Sequence, residues 1–121
     1  YTWGDEWDPA RCYCVEGRMT VAVGSYPRGA SPYGCHDMLS NIWEWTSTIW
    51  GRHPHKPDYA YPYIATDGRE DEKADRSFLR VLRGGITKTP AVAIRCTARY
   101  GNYPDRGFTS HGFRVVLSQD K

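Results

Sequence analysis

Two short apolar segments in the last third of this 121-residue chain constrain its fold more than any other feature. Segments 80–85 and 112–117 have the length and apolar content of buried strands, and each adjoins glycine. Between them, small, polar, aromatic and glycine residues follow one another without a strand or helix period. We therefore expect two core strands that bracket a long surface segment, whose side chains can vary without touching the core.

The composition indicates one loop-rich domain. The chain has 5 Trp, 9 Tyr and 3 Phe beside 12 Gly and 8 Pro, which favours loops anchored by large aromatic side chains over long helices. The 16 Lys and Arg nearly balance the 14 Asp and Glu, so a nucleic-acid partner or an anionic membrane surface is not expected. No apolar run approaches the roughly 18 residues of a membrane span. Because the sequence opens on Tyr1 in mid-pattern, we expect it to be part of a longer protein.

Local patterns predict a further strand and one helical turn. In segment 42–50, alternation places two tryptophans on one face of a strand. Asp8 followed by Pro9 can open a single helical turn, with Asp8 as the N-cap. Segment 51–75 is rich in Pro, Tyr and then charge, so it is predicted to be a long solvated loop.

The four cysteines do not form a recognisable metal motif. Cys12 and Cys14 are too close together for a usual zinc knuckle and have no matching second pair. Cys35 beside His36 would suit a metal site or an activated nucleophile, but a small buried thiol is commoner. Disulfide formation stays open, since sequence alone cannot pair cysteines.

Six blocks along the chain resemble the formylglycine-generating enzyme (sulfatase-modifying factor) domain family. In order they are 3–7 (WGDEW), 23–27 (VGSYP), 30–34 (ASPYG), 37–45 (DMLSNIWEW), 80–85 (RVLRGG) and 112–116 (GFRVV). The resemblance covers nearly the whole chain. It implies an α+β domain with a C-type lectin-like fold of this family's type, loop-rich with short antiparallel strands. Residues 1–121 would be the C-terminal part of that domain, and the missing N-terminal half would be a partner, in the same protein or on a separate chain.

Whether this chain is expected to be catalytic depends on the copper site of that family's oxidase members. Those members bind copper through two cysteines shortly after the Arg-Gly-Gly block, and here the corresponding positions hold Thr89 and Ile94. Cys96 is the only cysteine after Arg83, and one cysteine cannot make a two-thiolate Cu(I) site. The expectation is therefore a protein that is not an enzyme. The alternative is a catalytic family member, either an oxidase or an iron-dependent sulfur-transfer enzyme.

The last third is most similar to the variable proteins of diversity-generating retroelements, in which reverse transcription rewrites C-terminal codons. The similarity rests on segments 83–85 (RGG), 95–99 (RCTAR), 102–106 (NYPDR) and 112–116 (GFRVV). It implies that 83–117 is a hypervariable region that binds a protein or a cell-surface ligand and requires no cofactor. The sequence leaves the location unknown; a cell surface or a phage or virus particle would suit such a display role.

The resemblance assigns a binding face to residues of two loops. Aromatic side chains there would supply rigid contact area, and Ser and Thr would supply adaptable hydrogen bonds. The alternative is an ordinary polar surface. The assigned residues are Ile86, Thr87, Lys88, Thr89, Pro90, Val92, Tyr100, Gly101, Tyr103, Phe108, Thr109, Ser110 and His111.

A structural calcium ion and a set of core residues complete the expectations. Asn41, the Ile42 carbonyl and Glu44 fall where family members often hold Ca²⁺, and oxygen ligands suit a hard cation. The alternative is that Asn41 shapes a turn and that Glu44 pairs with an arginine. The side chains expected in the core are Trp43, Trp45, Phe113 and Val115.

Overall fold

The computed structural model describes residues 1–14 and 20–117. Within these ranges the chain forms one four-stranded sheet with the strand order β3-β2-β1-β4. The strands are β1 (Trp43–Gly51), β2 (Leu79–Arg83), β3 (Tyr100–Asn102) and β4 (His111–Gly112). The other regular elements are three single-turn 3-10 helices, at Pro9–Arg11, Pro27–Gly29 and Ala91–Ala93.

The helical part of the expected α+β fold is small. The described residues contain no α-helix, and none of their helices could cross a membrane. The predicted turn after Asp8 is confirmed as the first 3-10 helix, in which the Asp8 carboxylate accepts a hydrogen bond from the N–H of Ala10 at 2.9 Å. Few helices and short strands in a curled sheet are what the composition predicts.

The sheet combines two antiparallel pairings with one parallel pairing. Trp45 on β1 lies opposite Leu82 on β2, and Val81 lies opposite Gly101 on β3. β4 runs parallel to β1 and places His111 beside Trp43. Because β3 and β4 occupy opposite edges and run in the same direction, the segment between them must return across the sheet. The expected antiparallel order therefore fails at this one edge.

The main apolar cluster lies under β1 and β2. Trp50, Leu79 and Val81 are buried together, and Tyr103 packs against them. Gly101 on β3 is also part of this packing, since a Cβ atom there would lie 2.3 Å from the Trp50 ring. Only glycine leaves room for the indole at this point of the sheet.

A Gly-Gly turn carries the chain from β2 to the loop above the sheet. Gly84 and Gly85 have φ values of 95° and 86°, in the region that favours glycine. The carbonyl of Gly84 accepts a hydrogen bond of 2.7 Å from the N–H of Ser40. The turn is thereby fixed to the segment that precedes β1, and it determines where Ile86 lies.

The end of the described chain differs from its prediction as a central strand. Only Gly112 of segment 112–117 lies in β4, and the residues after it leave the sheet. Phe113 and Val115, expected in the core, are 74% and 84% exposed. An apolar pattern indicates that burial of these side chains is favourable. It does not identify the other segment that would cover them. Within the described residues, no strand covers the outer side of β4.

Candidate functional site

An open pocket of about 260 Å³ lies on the face of the sheet that carries Trp43. Its walls come from three strands and from the loops that follow β2 and β3. The lining residues share a lack of formal charge at neutral pH and are mostly aromatic or small and polar. They are Trp43, Ile86, Tyr100, Asn102, Phe108, Ser110 and His111.

Strand register brings the aromatic rings of the pocket together. Trp45, Leu82 and Tyr100 are cross-strand neighbours, so their side chains share a face of the sheet. Trp43 lies two residues from Trp45 on the same face and stacks on Tyr100, with ring centroids 5.6 Å apart. His111 stacks on Trp45 at 5.6 Å. The site is therefore built on rigid strands on at least two sides.

His111 is the histidine that lines this pocket. Both of its ring nitrogens are buried and have no hydrogen-bond partner among the described residues. The Phe108 ring lies against it, with centroids 4.9 Å apart. Burial lowers the pKa of His111, because a charged imidazolium loses hydration in apolar surroundings. A neutral imidazole offers one donor and one acceptor.

The structure brings together five residues of the assigned binding face. Ile86, Tyr100, Phe108, Ser110 and His111 all line the pocket, although the chain separates the first from the last by most of the loop region. The parallel pairing of β4 with β1 places His111 near Trp43. That pairing cannot be read from the sequence.

Other residues of the assigned face lie elsewhere. Gly101 is buried against Trp50 and Thr87 is 6% exposed, so these two belong to the interior. Tyr103 is partly buried and packs on the apolar cluster. The Thr89 hydroxyl accepts a hydrogen bond of 2.9 Å from the N–H of Ile86, which fixes the loop. The remaining assigned residues are exposed outside the pocket: Lys88, Pro90, Val92 and Thr109.

Sequence reasoning misses two pocket residues, Trp43 and Asn102. Trp43 is expected in the core, although the alternation along β1 already places it on an aromatic face. It is only partly buried, and its ring forms a pocket wall. Asn102 carries no signal, because its position depends on the pairing with Arg80 across β2 and β3.

The residues expected to hold calcium make protein contacts instead. The side-chain amide of Asn41 accepts from the N–H of Val21 at 3.0 Å and donates to its carbonyl at 3.2 Å. Both carboxylate oxygens of Glu44 accept hydrogen bonds from the Arg114 guanidinium, at 2.5 and 2.6 Å. This arrangement matches the alternative in which Asn41 shapes a turn and Glu44 pairs with arginine. Calcium binding stays a prediction.

The positions that correspond to the copper cysteines do not fit a soft metal ion. The Thr89 oxygen is a hard ligand and is occupied by Ile86, while Ile94 is a 1% exposed hydrocarbon side chain. Across residues 1–14 and 20–117, no three His, Cys, Asp or Glu side chains are grouped so that they could hold a metal ion.

Comparison with known proteins shows which domain family this chain matches. A family model described as the sulfatase-modifying factor enzyme 1-like domain matches residues 1–119. The chain is 32% identical over 116 residues to the serine/threonine-protein kinase pkn1 of Chlamydia caviae and 31% identical over 133 residues to the hercynine oxygenase of Mycolicibacterium thermoresistibile. It is 30% identical over 97 residues to the formylglycine-generating enzyme of Mus musculus. These alignments take in 96%, 100% and 80% of this chain.

The chain spans a minor part of each of these proteins. It corresponds to 17%, 27% and 24% of their lengths, in the same order. The structure of PvdO from Pseudomonas aeruginosa superimposes with a TM-score of 0.61 and 24% identity, over 91% of this chain and 40% of that one. This likeness shows the fold.

The expectation that the protein is not an enzyme is wrong. It rests on the missing cysteine pair, but relatives named as hercynine oxygenase and formylglycine-generating enzyme match this segment at about 30% identity. Loss of two thiolates excludes a copper site at Thr89 and Ile94 only. It does not exclude other catalytic roles for a segment that supplies part of a larger domain.

Proposed function

The chain belongs to the sulfatase-modifying factor enzyme 1-like domain family, and we propose that it forms part of a catalytic domain of oxidase or oxygenase type. The aromatic pocket would hold the substrate. One observation carries this proposal: His111 lies at an open pocket with both ring nitrogens buried and without a partner among the described residues. Buried polar atoms in proteins are usually hydrogen-bonded, so two free ones suit a ligand that completes the site.

The lining suggests what the substrate looks like. Trp43 and Tyr100 offer flat apolar surface, which suits a ring or an alkyl group. Asn102 and Ser110 provide hydrogen-bonding groups at the pocket edge, and neutral His111 can donate at one nitrogen and accept at the other. A small organic molecule with an apolar body and a few polar atoms satisfies this set. Among the described lining residues, no side chain would neutralise a strongly anionic group.

This chain's role in the reaction would be to bind and orient the substrate. Since Thr89 and Ile94 do not suit copper, no step of the proposal passes through a metal ion at those positions. Oxygen chemistry in such a domain would depend on residues supplied by the rest of a longer protein, of which this chain corresponds to about a quarter in the oxygenase relative.

The exposed apolar side chains of segment 113–117 suggest that another segment covers the outer side of β4. Phe113, Val115, Val116 and Leu117 are all at least 74% exposed, which is costly for a stable monomer surface. The chain covers 40% of the PvdO chain, so the occupant we favour is the remaining part of the same family domain. Hydrogen exchange on the full-length protein should find amides 113–117 protected, and unprotected amides would contradict this.

The retroelement connection stays a separate prediction. The names of the relatives reported above do not point to a diversity-generating retroelement. The connection would require a near-copy of the last third and a reverse transcriptase gene beside this one. Genomic sequence would decide it without any protein experiment.

A binding experiment tests the pocket. The probe is hercynine, because one relative is named as its oxygenase, and isothermal titration uses the full-length protein. Phe108→Ala and Tyr100→Ala should each weaken binding about fivefold, since loss of one aromatic contact costs on the order of 1 kcal/mol. Val92→Ala is the matched control, because Val92 is 74% exposed and outside the pocket.

Two results would count against the proposal. Equal affinity of the Phe108 and Tyr100 variants and the wild type would mean that the pocket is not the binding site. Absence of binding, together with no oxygen uptake in the presence of hercynine, would exclude that substrate class.

A further inference from the structure

Cys12 and Cys14 form a close thiol pair far from the aromatic pocket in sequence. Their sulfur atoms lie 2.8 Å apart, and both cysteines are free. Cys12 ends the first 3-10 helix with extended backbone angles of −149° and 164°. On extended backbone, residues two apart point to the same side, so the side chains meet while Tyr13 turns away toward Tyr26.

The two thiols differ in environment. Cys12 is 4% exposed, whereas Cys14 is only half-buried and can be reached from solvent. The hydrogen bond from the Cys12 thiol lowers the pKa of Cys14 to about 7. The same hydrogen bond raises the pKa of Cys12, and its burial and the nearby Cys14 and Asp8 charges act in the same direction. One thiolate, on Cys14, is therefore the favoured state near neutral pH.

The Ser40 hydroxyl is a third group that can stabilise the Cys14 thiolate. The Ser40 hydroxyl donates a hydrogen bond to the Tyr13 carbonyl, and a hydrogen bond from the same hydroxyl to the Cys14 sulfur would lower the pKa of Cys14. It has one proton and can donate to only one of them at a time. Ser40 is fully buried, so this donor is held in place beside the pair.

The separation of the sulfurs favours disulfide chemistry over metal binding. A metal bound to both would need metal–sulfur bonds of about 2.3 Å, and a 2.8 Å sulfur separation would force an acute angle at the ion. Two-coordinate and tetrahedral soft ions prefer much wider angles. A short approach of one sulfur to the other is instead what bond formation requires.

We propose that Cys12 and Cys14 form a thiol–disulfide exchange site whose substrate is a low-molecular-weight disulfide, with Cys14 as the attacking group and Cys12 as the resolving group. This site is independent of the proposed oxidase or oxygenase function. Nothing in the pocket is needed for it, and either conclusion could fail without the other.

The exchange balances in two steps. The Cys14 thiolate, whose proton has gone to solvent, attacks one sulfur of the external disulfide; a new S–S bond forms, the external S–S bond breaks, and a thiolate leaves. Cys12 then gives its proton to that thiolate and attacks the Cys14 sulfur, and the second external thiolate leaves and takes up a proton from solvent. The protein dithiol loses two electrons to become a disulfide, and the external disulfide gains them to become two thiols.

The test uses the full-length protein with Cys35→Ser and Cys96→Ser, which removes the two exposed cysteines of this chain. Oxidised glutathione is the probe, and intact-mass and peptide mass spectrometry are the readout. We expect a product that has lost two hydrogen atoms and carries no glutathione, with two glutathione thiols released per chain. A stable glutathione adduct as the end product, or no reaction, would overturn the proposal.

Single variants separate the two roles. Adding Cys12→Ser should stop the reaction at a glutathione adduct on Cys14, and adding Cys14→Ser should slow modification about tenfold or more, since a buried neutral thiol is a poor nucleophile. If Cys12 reacts as fast without Cys14, the assignment is wrong. The protein that keeps both Cys12 and Cys14 still tests the proposal if a further serine variant fails to fold, because its dithiol is intact.

Discussion

Replacing Arg114 with alanine tests the link that joins the end of the described chain to β1. The guanidinium makes a two-pronged contact with the Glu44 carboxylate, at 2.5 and 2.6 Å. It also donates to the carbonyls of His36 and Asp37, at 3.1 and 3.2 Å. The Arg114 side chain therefore links segment 113–117 both to β1 and to the turn at residues 36–37, which precedes β1.

The expected cost follows from these contacts and their exposure. A charge-assisted hydrogen bond contributes about 1.5–3 kcal/mol, and breaking a buried ion pair costs about 3–5 kcal/mol. The Arg114 side chain is 36% exposed and Glu44 is 15% exposed, so water screens part of this interaction. We expect Arg114→Ala to lower the unfolding free energy by roughly 2–3 kcal/mol, of which the stranded Glu44 charge is the largest part.

Urea denaturation followed by tryptophan fluorescence measures this loss. Arg28→Ala is the control, because Arg28 lies 3.9 Å from Asp8 and is 68% exposed, and we expect it to cost less than about 0.5 kcal/mol. Equal losses for Arg114→Ala and Arg28→Ala would refute the reasoning. The same experiment tests calcium: if Glu44 is a ligand, added Ca²⁺ should stabilise the wild type, and Glu44→Gln should abolish that gain.

Three further predictions concern packing and pH. Gly101→Ala should lower the unfolding free energy by roughly 1–3 kcal/mol in urea denaturation, because its Cβ would meet the Trp50 ring at 2.3 Å, whereas Gly107→Ala, with nothing within 4 Å, should be nearly neutral; equal losses would contradict the packing. Phe113→Ala should cost under about 1 kcal/mol in this chain, since the ring is 74% exposed, and Leu82→Ala about 2–5 kcal/mol, since Leu82 is 0% exposed; the reverse order in the same assay would refute this. Burial lowers the pKa of His111, so the folded state binds that proton less readily than the unfolded chain; the unfolding free energy should fall as pH drops from about 6.5 toward the lowered value. His111→Phe should flatten that part of a pH series of denaturation curves, and an unchanged slope would exclude His111 as the cause.

The sequence predicts strands well where local pattern and burial agree. β1 and β2 lie almost where alternation and apolar content place them. Segment 112–117 shows the limit of the method, because its apolar residues predict a buried strand while Phe113 lies in solvent. Hydrophobicity is a property of the segment, whereas burial depends on a neighbour that the segment does not encode. The parallel pairing of β4 is invisible for the same reason, since it depends on the whole path of the chain.

Part of the candidate site can be predicted from the sequence. The resemblance assigns Ile86, Tyr100, Phe108 and His111 to one binding face, and these residues do come together. The same reasoning places Gly101 on that surface, but it lies under Trp50. No one-dimensional pattern distinguishes a glycine that lines a surface from one that makes room for an indole. The inference from the missing cysteine pair fails differently, because it treats one metal site as the test for all catalysis in a family.

The order of strands has a consequence for how the protein is made. β1 is flanked by β2 and by β4, and β4 is the last described strand to leave the ribosome. The Arg114–Glu44 contact joins residues 70 positions apart. During translation, one edge of β1 therefore stays without its neighbour until almost the whole described chain has been synthesised. Long-range closure of this kind is slow, and an open strand edge is prone to pair with other chains. Newly made molecules are thus most vulnerable to aggregation just before β4 emerges.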